Sequence, residues 1–254
     1  MSDFLIDLDG FSDETIKGTD VEKYVGKKGV TDRLGLIYHR VPLSEIPKDK
    51  LASIKQKLES GEIERSKVNG VEYINQLKPW AARVHYDDKF GLNYFFCLST
   101  PGKKEVCCEK FGQPKVRISV IVAHYATNKD GKLNAPMSYN LKPWVFNEQK
   151  YTSLKSKNAE FPLLSRDILV TCKEDQFQQL DFTPCKDSAW RANKDLENAV
   201  YEESLSLYAA AERALGRERT LDEVNEAMGI ASGLVPTDSD SVDLSSILAE
   251  FGSV

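Results

Sequence analysis

Three groups of residues in this 254-residue chain have types and spacings that could do chemistry. The first is an interleaving of rings and cations. Trp80, Tyr86, Tyr94, Phe96, Tyr125, Tyr139, Trp144, Phe146 and Tyr151 lie among Lys78, Arg83, Lys89, Arg117, Lys142 and Lys150. Single-stranded nucleic acid is held by this mixture: bases stack on flat side chains, at about 1–3 kcal/mol each, while cations track the phosphates. Any one aromatic in a strand is equally an ordinary core residue. The stretch "LKPW" occurs at 77–80 and again at 141–144. In a strand, residues two apart share a face, so each lysine and its tryptophan point the same way. The intervening proline places each copy at an edge or a bulge.

The second group is His85, Cys97, Cys107 and Cys108, with eleven, nine and no residues between successive members. Zinc takes Cys and His ligands in a tetrahedral set. The alternative is a core strand cysteine at 97 and a loop pair at 107–108; His124, Cys172 and Cys185 are further recruits. The third group is "HYDDK" at 85–89. Asp87, Asp88 and a lysine could hold magnesium for phosphodiester hydrolysis, but a turn between strands has the same composition. No phosphate-cradling G-x-x-x-x-G-K, strand-following G-x-G-x-x-G or G-x-S-x-G is present. We therefore assign no catalytic residue and no metal ligand. No cofactor is required, with a structural zinc left open.

The charge is unevenly laid out. Residues 1–64 carry 10 Lys/Arg against 13 Asp/Glu, residues 65–191 carry 20 against 13, and residues 192–254 carry 4 against 13. A basic middle between acidic ends is a directed field that favours an anionic partner. No apolar run approaches the roughly 20 residues that span a bilayer. The N-terminus, "MSDFLIDLDGFSDE", is acidic and not signal-like. Five cysteines, an odd number, fit reduced thiols. Together these place the chain in a cytoplasm-like compartment.

Stepping along the chain, residues 1–64 read as an acidic arm, an extended and looped segment and a short amphipathic helix. In that helix Leu51, Ile54 and Leu58 share one face and Gly61 ends it. Residues 65–191 read as strands. The clearest is "VRISVIVAHYAT" (116–127), with Val116, Ile118, Val120 and Val122 on one face and Arg117 and Ser119 on the other. Asp130-Gly131 signals a hairpin into "SYNLKPWVF" (138–146). "LNYFFCL" (92–98), "RDILVTC" (166–172) and "FTPC" (182–185) are further strands, and "EQKYTSLKSK" is an interposed helix. The expected fold is mainly β with flanking helices, α+β, built on a small barrel like the oligonucleotide-binding (OB) fold. Residues 192–233 hold C-terminal helices: 194–216, ending at Gly216, and a second opened by a Thr220/Glu223 capping box. Residues 234–254 are a flexible acidic tail carrying Asp238, Asp240 and Asp243 and the spaced apolar residues Val242, Leu244, Ile247, Leu248 and Phe251.

On these features the chain resembles the single-stranded-DNA-binding, helix-destabilising replication proteins of large tailed bacteriophages, the T-even type. The residues that carry the likeness are the aromatic and basic centre from "YINQLKPWAARVHY" to "DFTPCKDSAW", the His85–Cys97–Cys107–Cys108 region, and the tail "DSDSVDLSSILAEF". The family's zinc set ends in a C-x2-C-type pair, whereas the pair here is adjacent. Its N-terminal arm is basic, whereas this one begins acidic. The resemblance implies non-enzymatic, sequence-independent binding of single-stranded DNA in phage DNA replication and recombination, in the cytoplasm of the host cell. The binding residues are then expected among Lys78, Trp80, Arg83, Tyr86, Tyr94, Phe96, Arg117, Tyr125, Tyr139, Lys142, Trp144 and Lys150. It also implies a tail that covers the basic groove without DNA and recruits replication or recombination proteins through Asp238, Asp240, Asp243, Leu244, Leu248 and Phe251. Two other readings stand beside it: a protein–protein module of a phage transcription or virion assembly, and a metal-dependent nuclease using Asp87 and Asp88.

Overall fold

A computed structural model describes residues 22–87, 89, 93–98, 106–173 and 180–228. Its centre is the long strand that the alternation at 116–127 announces. In chain order the strands are β1 (Thr31–Leu36), β2 (Tyr38–Pro42), β3 (Glu64–Val68), β4 (Val71–Leu77), β5 (Trp80–Asp87), β6 (Asn93–Phe96), β7 (Lys115–Tyr125), β8 (Tyr139–Asn147), β9 (Asp167–Cys172) and β10 (Leu180–Pro184). The helices are α1 (Leu51–Glu59), α2 (Val106–Phe111), α3 (Glu148–Glu160), α4 (Lys194–Leu205), α5 (Tyr208–Arg213) and α6 (Leu221–Ala227).

One edge of β7 is taken along its length by β8. The other edge is shared end to end. β5 pairs with its first half, Trp80 opposite Ser119, and β1 with its second, Leu36 opposite Val122. Between them the Ile37 amide donates to the Ile121 carbonyl. From this junction β2 and β4 leave together, paired Tyr38 to Leu77, and with β3 form a separate three-stranded sheet. A single residue, Ile37, separates β1 from β2, and Lys78-Pro79 separate β4 from β5. β9 and β10 extend the main sheet beyond β1, and β6 extends it beyond β5. All these ladders are antiparallel. Mainly β with helices is therefore what forms, but as open sheets: among the described residues no pairing joins β6 to β10 or closes a barrel.

Helices cover both faces of the main sheet. One face carries Leu34, Leu36, Ile118, Val120, Val122, Trp144 and Phe146 and is packed by Leu154 of α3. The other carries Trp80, Ala82, Val84, Ile121, Ala123 and Tyr125 and is packed by Val200 and Tyr201 of α4 and Ala211 of α5. This double cover explains why β7 is buried at nearly every position, Arg117 and Ser119 included. Its period-2 pattern encodes only one of the two burials. The helix read at 194–216 is broken into α4 and α5 at Ser206-Leu207, and Thr220 does form the capping box that opens α6. Pro143 sits on β8, whose only strand partner among the described residues is β7, and Pro79 sits at the β4–β5 junction, so neither proline interrupts a central ladder.

Candidate metal centre and aromatic strip

Parity along β5 and β6 divides their side chains. His85 stands opposite Phe95 on the face away from Val84, Tyr86, Tyr94 and Phe96. The Cys97 amide donates to the Arg83 carbonyl, which carries the ladder one residue past β6 and puts Cys97 on the His85 face, at the diagonal position. α2 lies against that face and brings Cys107 and Cys108. The result gathers all four: Cys97 Sγ is 3.5 Å from Cys108 Sγ, Cys108 Sγ is 3.7 Å from His85 Nε2, and the four donor atoms lie within 4.8 Å of one another. The adjacency of Cys107 and Cys108 does not keep either from the cluster. Cys172, Cys185 and His124 stand elsewhere, His124 on the Asp32 carboxylate at 3.2 Å.

These distances suit a tetrahedral ion. Zinc–sulfur bonds of about 2.3 Å and zinc–nitrogen bonds of about 2.0–2.1 Å put neighbouring ligand atoms about 3.5–3.8 Å apart. A disulfide would need its sulfurs at about 2.05 Å, and none of the three cysteines is in one. Two further observations bear on the fit. The Nδ1 atom of buried His85 has no hydrogen-bond partner among the described residues. Hydrogen bonding to Cys97 and then burial push the Cys107 thiol well above its usual range, against a backbone hydrogen bond from Leu98 that favours the thiolate. Three crowded thiols are costly to ionise on their own; a dication removes that cost. Around the cluster, Phe95 and Phe111 pack on the His85 ring, and Val224 of α6 completes the apolar shell with Ala227 and Met228.

The opposite face of the same hairpin holds the aromatic strip. Tyr86, 43% exposed, lies against Tyr94 with ring centroids 4.7 Å apart. The Arg117 guanidinium sits 3.9 Å over the Tyr94 ring and donates to the Leu215 carbonyl at 2.9 Å. Further along β5, at the junction, Lys78 Nζ lies 5.4 Å from the Trp80 ring and 5.1 Å from that of Tyr208. Burial lowers the Lys78 pKa, partly opposed by Glu212. His39 Nδ1 is 2.7 Å from the Tyr208 hydroxyl; burial and then the Lys78 charge bring the imidazole down to about 4, so it is neutral near pH 7.

The twelve residues expected to bind nucleic acid are thus divided. Trp80, Tyr86, Tyr94, Phe96, Arg117, Tyr125 and Tyr139 share the α4–α5 face, with Lys78 beside them. Trp144 and Lys142 face the other way, towards α3, because Trp80 pairs with Ser119 and Trp144 with Val120, neighbours on β7 that point oppositely. Lys150 lies in the first turn of α3, and Arg83 lies on the His85 face. The two "LKPW" copies are therefore not one platform.

Several of these residues are structural. Trp144, 2% exposed, is sealed edge-on by Tyr24, Phe146 and Phe182. Trp80 is 9% exposed beneath Tyr208. Tyr125 is buried, donating to Asp167 and accepting from the Trp190 amide. The hydroxyl of half-buried Tyr139 donates to Glu203. Lys142 is paired with Glu22 at 2.8 Å. Tryptophan stacking, expected at Trp80 and Trp144, has no exposed indole to use; among the twelve, the large hydrophobic side chain that is exposed is Tyr86. Tyr208 and His39 were not marked by the sequence, where Tyr208 is one more residue of a helix and His39 one of an extended segment. Of "HYDDK", Asp87 is buried and accepts the Lys89 amide at 3.1 Å, a turn contact, while Asp88 lies outside the described residues. So do residues 1–21 of the N-terminal arm and all six tail positions, Asp238, Asp240, Asp243, Leu244, Leu248 and Phe251. No helix among the described residues is long and apolar enough to cross a membrane.

Comparison with protein-family models, curated proteins and solved structures finds no match to the chain.

Proposed function

We propose that the chain is a non-enzymatic single-stranded-DNA-binding protein of phage-type replication and recombination. In this reading its base-stacking surface is the Tyr86–Tyr94–Arg117 strip, and His85, Cys97, Cys107 and Cys108 hold a structural zinc. The observation that supports it is the two-sided β5–β6 hairpin. One side carries an exposed ring backed by a second ring and a guanidinium. The other side carries a donor set that fits zinc. The ion would tie β5, the residue after β6 and α2 together, so that the strip is presented on a rigid support. Lys78 adds a cation at the far end of the same face, with no ion pair among the described residues.

Stacking on tyrosine is indifferent to base identity because every base has a π-face. Phosphate contacts release counterions, so affinity falls steeply with salt. The acidic tail would compete for the cations and recruit partner proteins when displaced. The test is fluorescence anisotropy of a dye-labelled oligo-dT titrated with the intact chain and with Tyr86→Ala. Salt-sensitive binding that the substitution weakens about 5- to 150-fold, from one lost stack, supports the reading. No binding at any salt turns the assignment to a protein–protein module. Shortening of the oligonucleotide with magnesium turns it to the nuclease.

A further inference from the structure

α1 is amphipathic, yet no residue of it is buried. Leu51 is 45% exposed, and Ile54 and Leu58, on the same face, are only half-buried. Around this stripe lie Lys48, Lys50, Lys55 and Lys57, with Asp49 the only acidic residue between 48 and 58. Lys57 reaches Glu62 at 3.6 Å; Lys48, Lys50 and Lys55 have no ion-pair partner among the described residues. A helix face with Leu51 exposed and with Lys48, Lys50 and Lys55 outside any ion pair among the described residues suits an acidic, apolar cover.

We propose that the cover is the chain's own C-terminal segment, residues 244–251. Leu244, Ile247, Leu248 and Phe251 are spaced i, i+3, i+4 and i+7, the spacing of one helix face, and match the i, i+3, i+7 stripe of Leu51, Ile54 and Leu58. Glu250 is the one charged residue of the segment, and Asp238, Asp240 and Asp243 precede it; these four are the only charged side chains from 236 to the end, all opposite in sign to the lysines of α1. Fifteen residues, 229–243, lie between the last described residue and this segment; any chain of that length reaches about 20 Å as a coil and about 50 Å when extended. The mode is an amphipathic segment laid on an apolar face, with the charges setting partner choice. A second α1 would not serve, since it would set lysines against lysines. While it lasts, the docking places the apolar anchors of the tail out of reach of other proteins.

The experiment is hydrogen–deuterium exchange of the amides of 51–59 in the full chain, compared with the full-length variant Leu244→Ser/Leu248→Ser/Phe251→Ser. The substituted positions lie outside the described residues, and a circular-dichroism melt that matches the parent's shows that the variant folds. The expected result is exchange in α1 faster by about threefold or more in the variant. High salt should produce a similar gain in the intact chain. Leu51→Asp in the intact tail background should reproduce the loss of protection. Equal exchange in the intact and triple-substituted chains overturns the docking. So does protection that rises with protein concentration together with a dimer in native mass spectrometry, because a second copy is then the cover.

Discussion

Trp144→Ala and Tyr86→Ala should separate stability from binding. Trp144 is sealed between Tyr24, Phe146 and Phe182, with centroid separations of 5.6, 4.9 and 5.9 Å. Emptying such a site costs about 3–5 kcal/mol, transfer and cavity together. In a chain of this size each kcal/mol moves the melting temperature by about 2–4 °C, so Tm should fall by roughly 6–20 °C. At a temperature where the variant is folded, its affinity for oligo-dT should stay within about twofold of the parent, because the indole reaches no surface. Tyr86→Ala should do the reverse. An exposed ring contributes little to the core, so Tm should shift by no more than about 2–4 °C, while one stack, about 1–3 kcal/mol of binding, is lost. Circular-dichroism melts and anisotropy titrations measure the two quantities on the same samples. If Trp144→Ala keeps its Tm and loses affinity as Tyr86→Ala does, the indole is a platform after all and the assignment of faces is wrong.

Three further outcomes are expected. A Cβ on Gly35 would lie 2.6 Å from the Trp190 side chain, 2.7 Å from the Tyr125 hydroxyl and 2.9 Å from Asp167 Oδ1. Gly35→Ala should therefore cost at least about 1–3 kcal/mol by overpacking, read in a urea melt. Burial raises the pKa of Glu197, but hydrogen bonds from Lys194 and Tyr38 and the charge of Arg191 outweigh it and hold the carboxyl below its ordinary value. Its stabilisation is thus present above the unfolded pKa and is lost as pH falls through the folded one. Glu197→Gln should lower stability at pH 7 and flatten the acid limb of a Tm–pH curve. Asp167 is raised by burial and works in the opposite sense. Cobalt(II) added to the chelator-treated chain should give the absorption of a tetrahedral thiolate site, and chelation of the chain as isolated should lower Tm; metal analysis showing no ion at all would remove zinc from the proposal.

The fold was legible where one principle decided it. β7 follows from strict alternation, β8 from the Asp130-Gly131 turn, and α6 from the Thr220/Glu223 box. The break between α4 and α5 was not, because Leu207 and Ala211 keep helical spacing across it. Nor was the openness of the sheet, since closure depends on which strands pair, and that information lies between segments distant in sequence. The insertion of β1 between β9 and β7 is of this kind. At the site, spacing listed the four possible ligands while adjacency at 107–108 argued against them; only the placement of α2 on the His85 face brings the four donor atoms together. The aromatic set was misleading for a geometric reason. Sequence gives the relative face of residues within one strand, which holds for Lys142 and Trp144 of β8; Lys78 lies between β4 and β5, and its ammonium meets the Trp80 ring there from outside a strand. Sequence does not give the relative face of two strands, which the register against Ser119 and Val120 sets.

The shared edge of β7 bears on synthesis. Leu34 finds His124 on one side and Ile168 on the other, so a segment made early must wait for two made much later. Until Cys172 has left the ribosome the nascent chain holds a strand with at least one bare side, a template for wrong pairing. A product terminated before that point would be expected to precipitate, not to survive as a smaller working unit.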